Sequence, residues 1–179
     1  MNLWSKYKEM PEPAKASIWY VVCDVIQKGL LVLTIPIFTR IMTTAEYGLT
    51  NVYSSWMAII VIFATFNLQY GTFNTAMVEF EDDRDRFVSS MQGLVTTSVT
   101  VVFLIYLLGH SLIDDVTKLS MPLFAAMALQ MLSNAVFGFW SGKKRFDYLY
   151  REVIAATLIS AVLTTVVSIA LVAMAQSNR

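Results

Sequence analysis

Asp24 and Lys28 lie one helical turn apart near the middle of an apolar stretch that covers residues 16–41. Residues i and i+4 share a helix face, and an acid N-terminal to a base is the favourable order for an ion pair. Two chemistries fit the pair. It can neutralise itself and help helices pack, or it can mark a polar face on which Lys28 meets an anionic substrate while Asp24 sets its charge state. Gln27 borders this face, and Ser17 and Tyr20 extend it. Arg40, at the far end of the same stretch, adds either a second cationic contact or an interfacial anchor. Gln130 and Asn134 are two amides one turn apart near the middle of another apolar stretch. Lys28, Asp24, Arg40, Gln27, Gln130 and Asn134 are therefore the candidate substrate contacts.

Other chemistry finds no support in the residue pattern. The run Gly138-Phe-Trp-Ser-Gly142-Lys143 has glycines one residue too close for a phosphate loop, and no Ser or Thr follows the lysine. One histidine (His110) and one cysteine (Cys23) build neither a metal site of normal type nor a Cys–His dyad. No catalytic residues, cofactor or metal are expected, and the chain is not read as an enzyme.

The elements that must carry these residues are membrane helices. Residues 47–78, 87–109, 119–142 and 153–178 contain no charged side chain. A helix needs about 20 apolar residues to cross a hydrocarbon core about 30 Å thick. With the charged first stretch this makes five spans, expected at about 16–41, 46–70, 87–110, 117–141 and 152–175. Hydrophobic residues make up 56% of the chain and mean hydropathy is +0.59, above the range of ordinary soluble domains. A charge near mid-membrane costs about 2.5–3.5 kcal/mol on insertion scales, which is what makes the Asp24 and Lys28 pair conspicuous. The fold class expected is all-α, a polytopic membrane helix bundle, with residues 1–15 as a cytoplasmic interfacial lead-in and 16–179 as the membrane domain. The first stretch is too long and too charged for a signal peptide and is expected to stay as a helix.

Local signals refine the spans. Pro36 removes a bond to the Val32 carbonyl and should bend span one. Thr44 is the expected N-cap of span two, after a tight turn. Asn67, Gly71 and Asn74 should end that span, leaving residues 72–79 as a helical extension at the surface. Residues 110–118 are read as the outer connector between spans three and four, and 143–151 as a basic connector. Small and hydroxyl residues recur on one face of spans three (Ser89, Gly93, Thr96, Thr97, Thr100), four (Gln130, Ser133, Asn134, Gly138, Ser141) and five (Thr157, Ser160, Thr164, Ser168). Such faces serve close helix packing in lipid or line a hydrated cavity. Gly138 and Gly142 read as a packing pair.

Net charge is zero and nucleic acid is not an expected partner; membrane lipids are. Alternating crossings place Lys6, Lys8, Lys15, Arg84, Arg86, Lys143, Lys144, Arg145 and Arg151 on the N-terminal side, against Arg40, Lys118 and Arg179 on the other. Nine cations against three predict a cytoplasmic N-terminus.

The turn Arg40-Ile-Met-Thr-Thr-Ala-Glu46-Tyr47-Gly48 resembles the bacterial polysaccharide-biosynthesis flippases of the multidrug/oligosaccharidyl-lipid/polysaccharide (MOP) exporter superfamily. Tyr70-Gly-Thr-Phe-Asn-Thr-Ala and Gly142-Lys-Lys-Arg-Phe resemble them too. The resemblance implies two six-helix lobes around a cavity that opens alternately to each side of the bacterial inner membrane. It implies a lipid-linked oligosaccharide on an undecaprenyl diphosphate carrier as substrate, for O-antigen, capsule or exopolysaccharide. Five spans are fewer than the family's 12 or 14, so the expectation is an incomplete N-terminal lobe whose partner, a C-terminal lobe, is missing, and which does not transport alone. A cation-coupled multidrug exporter using Asp24, and a non-transporting membrane scaffold docking partners through its charged connectors, are the alternatives.

Overall fold

In the computed structural model, residues 9–69 and 71–177 are described, and among them there are six α-helices and no strand. We number them α1 (Glu12–Ile41), α2 (Thr44–Thr65), α3 (Thr72–Glu79), α4 (Arg84–Thr117), α5 (Met121–Phe146) and α6 (Tyr150–Ser177). The fold is all-α. Five of the six (all but α3) are long and apolar enough to cross a membrane. Lys6, Lys8, Tyr70 and Arg179, which enter the charge count and the motifs above, lie outside the described residues.

Each helix begins and ends for a local reason. Pro11 is extended, Pro13 occupies the first turn where a missing N–H costs nothing, and α1 starts at Glu12, earlier than the expected boundary near residue 15. The helix runs on through Pro36. The cap of α2 is Thr43 rather than Thr44. Its hydroxyl accepts the Glu46 N–H at 3.3 Å, and its own N–H donates to Glu46 Oε2 at 2.8 Å. This reciprocal capping box satisfies donors that a helix start leaves free. Span two ends at Thr65, where Phe66 and Asn67 turn left-handed (φ 50° and 52°), and α3 follows as a separate short helix.

Two connectors differ from expectation. Residues 110–117, expected as a loop, are helical: α4 kinks at Gly109 (φ −115°, ψ 19°) and continues to Thr117 before Lys118 caps it in the left-handed region. The Tyr106 hydroxyl donates to Asp114 Oδ1 at 2.8 Å across that kink, tying the last turns to the body of the helix. Likewise Lys143, Lys144 and Arg145 belong to the last turn of α5, not to a loop. That helix closes when Tyr148 turns left-handed (φ 55°), the Leu149 N–H bonding to Lys144 O at 2.9 Å and the Tyr148 N–H to Arg145 O at 3.2 Å. Cations in the last turn suit the negative end of the helix dipole.

The chain divides into two compact units, one comprising Met1–Tyr47 with Lys144–Arg179, the other Gly48–Lys143. In the first, α1 and α6 pack along each other and run in the same direction. Arg145, just ahead of α6, meets Tyr20 near the start of α1, and Gln176 at the end of α6 donates to Glu46 just past the end of α1. The inner face of α1 is a narrow stripe of Ala16, Tyr20, Cys23, Gln27, Leu30 and Thr34, at alternating four- and three-residue spacing. Small side chains there let the backbones approach, as helix packing in lipid requires.

The second unit has a wider core. Val95, Val99 and Tyr106 of α4 and Phe124, Met127, Met131, Ala135 and Phe139 of α5 are buried. Tyr106 stacks on Phe124 with centroids 3.8 Å apart. Phe73 of α3 is wedged between Phe139 (5.5 Å) and Phe87 (6.3 Å). The two glycines of α5 explain how α3 seats so closely. A Cβ on Gly142 would stand 2.6 Å from the Phe73 ring, and one on Gly138 2.5 Å from Gln69 Oε1. They form the packing pair that the sequence suggests.

Candidate functional site

The sequence-predicted residues fall into three groups by environment. Asp24 and Lys28 occupy one face of α1, and both are exposed. Among the described residues no ion pair closes between them, and neither side chain makes a hydrogen bond, although their spacing would allow a pair. Around them Val21, Val25 and Ile26 are exposed as well. The surface of α1 outside the α6 contact thus combines an apolar area of membrane-spanning length with two uncompensated charges.

Gln27 belongs elsewhere. It is half-buried in the inner stripe of α1, and its amide Nε2 lies 3.4 Å from Cys23 Sγ, a weak intrahelical bond. It borders the charged pair in sequence but turns toward the helix contact. Arg40 is exposed in the last turn of α1. Twelve residues at about 100° each set it about 120° around the helix from Lys28. It complements the helix dipole and does not extend the Asp24 and Lys28 face.

Gln130 and Asn134 lie in the second unit, on the exposed side of α5. Gln130 Oε1 accepts the Tyr53 hydroxyl of α2 at 2.7 Å. This is an interhelical hydrogen bond of the kind that averages about 0.6 kcal/mol in membrane proteins. Asn134, by contrast, has no side-chain partner among the described residues. The hydroxyl stripe of α4 is exposed too, and Thr96, Thr97 and Thr100 each bond back to the carbonyl four residues earlier. That back-bonding lets a hydroxyl face a nonpolar or polar neighbour at little cost. Among the described residues no group of three or more His, Cys, Asp or Glu is placed to hold a metal ion.

Glu46, the acid of the Arg40–Gly48 turn motif, has a structural job: it closes the capping box with Thr43 and accepts Gln176 Nε2 at 3.3 Å. The sequence reading missed Tyr53 and the contact of Arg145 with Tyr20. Both join residues far apart in the chain, and neither carries a local spacing signal.

A family model described as polysaccharide biosynthesis protein matches residues 14–177. The chain belongs to this family. It is a family of MOP-superfamily membrane proteins of transporter rather than enzyme type. No curated protein and no solved structure gives a significant match. With its five membrane-length helices, this family member is a multi-pass membrane protein.

Proposed function

We propose that this protein forms part of a flippase for undecaprenyl-diphosphate-linked oligosaccharide in a bacterial inner membrane, with its N-terminus in the cytoplasm and surface polysaccharide as the end product. The observation that carries this reading is the uncompensated Asp24 and Lys28 face on a membrane-spanning helix of a polysaccharide-biosynthesis family member. Lipid cannot cover such a face cheaply, since each charge at that depth costs at least about 2.5 kcal/mol. A water-filled cavity covers it at little cost. In such a cavity Lys28 is the cation, and a diphosphate is the doubly charged group that a polysaccharide carrier must bring through. Charge-assisted hydrogen bonds to phosphate gain strength where water is scarce. Asp24, one turn away, balances the charge of the face without binding the ammonium, which stays open to the incoming anion.

Orientation rests on the connector cations. Arg84 and Arg86 stand in the first turn of α4, and Lys143, Lys144 and Arg145 in the last turn of α5, at helix ends that the cation count assigns to the cytoplasm. The test is deletion of the gene in the bacterium that encodes it, followed by leaflet-resolved measurement of the lipid-linked oligosaccharide. Accumulation in the inner leaflet with loss of surface polysaccharide is the expected result. Normal surface polysaccharide with a changed drug-efflux profile would instead favour a multidrug exporter.

A further inference from the structure

We infer that Arg145, held over the ring of Tyr20, is a binding residue for the phosphate of an anionic membrane lipid. Three consecutive cations end α5, and they are used differently. Lys143 pairs with Asp85, and Lys144 Nζ lies 2.8 Å from Glu152 Oε2. Arg145 has no carboxylate partner among the described residues and is exposed. Its guanidinium carbon stands 4.9 Å above the centroid of the Tyr20 ring. A cation over an aromatic face is held in place, and the planar fork of a guanidinium matches phosphate oxygens. The Tyr20 hydroxyl is the one buried side-chain polar atom without a hydrogen-bond partner among the described residues. The hydroxyl is covered, so it is the ring that positions the guanidinium.

The surroundings fit the depth of a headgroup. Trp19 of α1 and Tyr148 and Leu149 of the turn before α6 are exposed at the same end of this unit. Exposed aromatics and arginine together are the side chains that settle at the membrane–water boundary. Two backbone bonds close the turn onto the last residues of α5. A phosphate there would meet a preformed site. Two lipids can supply it: a bulk phospholipid such as phosphatidylglycerol, or the diphosphate carrier lipid. The site goes beyond the flippase reading, because any anionic lipid at this leaflet would fill it.

The test uses the full chain in nanodiscs of phosphatidylcholine, titrated separately with phosphatidylglycerol and with undecaprenyl diphosphate, and read by native mass spectrometry. Arg145→Gln should weaken binding of at least one of the two about tenfold, the loss of a charge-assisted bond. Tyr20→Phe keeps the ring and should change it less than twofold, whereas Tyr20→Leu removes the ring and should weaken it about two- to fivefold. Lys143→Gln, which removes an ammonium already paired, should change it less than twofold. Loss for phosphatidylglycerol alone, for the carrier alone or for both supports the site and names its source. Unchanged binding in Arg145→Gln, with the helical circular dichroism of the parent, overturns it. So does an equal loss in Lys143→Gln, which would mean diffuse charge attraction in place of a site.

Discussion

Alanine at Gly142 should destabilise the protein, whereas alanine at Gly138, one turn earlier, should be close to neutral. Both glycines lie inside α5, where alanine gains about 0.8–1.0 kcal/mol of helix propensity. At Gly142 the new methyl would sit 2.6 Å from Phe73 Cε1 and 3.1 Å from Cζ. That ring is 3% exposed and held by Phe87 and Phe139, so it has nowhere to swing. Overpacking of this kind costs about 1–3 kcal/mol, leaving a net loss of about 1 kcal/mol. At Gly138 the methyl meets only the end of the Gln69 side chain. Gln69 can rotate away at the expense of its bond to the Ala135 carbonyl at 3.3 Å, a loss of about 0.5–1.5 kcal/mol that the propensity gain offsets. The assay is reversible unfolding in mixed micelles, followed by tryptophan fluorescence, with Phe73→Leu added to complete a double-mutant cycle. A coupling of about 1 kcal/mol between positions 73 and 142 is expected. Equal effects of the two alanines, or no coupling, would refute the reasoning.

Three further outcomes follow from the same structure. Thr43→Ala removes the hydroxyl that caps α2 and should cost about 1 kcal/mol in the same unfolding assay; an unchanged midpoint would show that the box carries no stability. Tyr106→Phe breaks the bond to Asp114 and should raise hydrogen exchange in residues 110–117 more than in 90–105, since the arm beyond Gly109 loses its tie. In a Cys23→Ala background, a cysteine in place of Asp115 should react with an impermeant maleimide in whole cells. One in place of Asp82 should react only after permeabilisation; the reverse pattern would overturn the N-in orientation.

The existence and order of the helices were legible because charge-free stretches of more than 20 residues leave little choice. Helix ends were less so. Residues 110–117 read as a loop because they hold His110, Asp114 and Asp115. Yet Asp114 is the partner of Tyr106, and that bond, eight residues long in sequence, keeps the arm helical. The basic run after Gly142 read as a connector for the same reason, although cations are favoured in a last helical turn. Within the candidate site, the shared helix side of Asp24 and Lys28 follows from their spacing, but their exposure does not. The separation of Gln27 from it does not, because the α6 contact that claims the inner stripe is set by residues more than 100 positions away.

The central claim is that the Asp24 and Lys28 face of α1 handles an anionic, lipid-linked substrate. It is tested most directly by placing Lys28→Met on the chromosome and measuring the outer-leaflet fraction of lipid-linked oligosaccharide at matched protein level. The methionine keeps the length and apolar body of the side chain and removes only its charge. A fall of at least tenfold in the translocation rate, with Lys28→Arg retaining part of it, is the predicted result. Translocation at the parental rate in Lys28→Met would contradict the account.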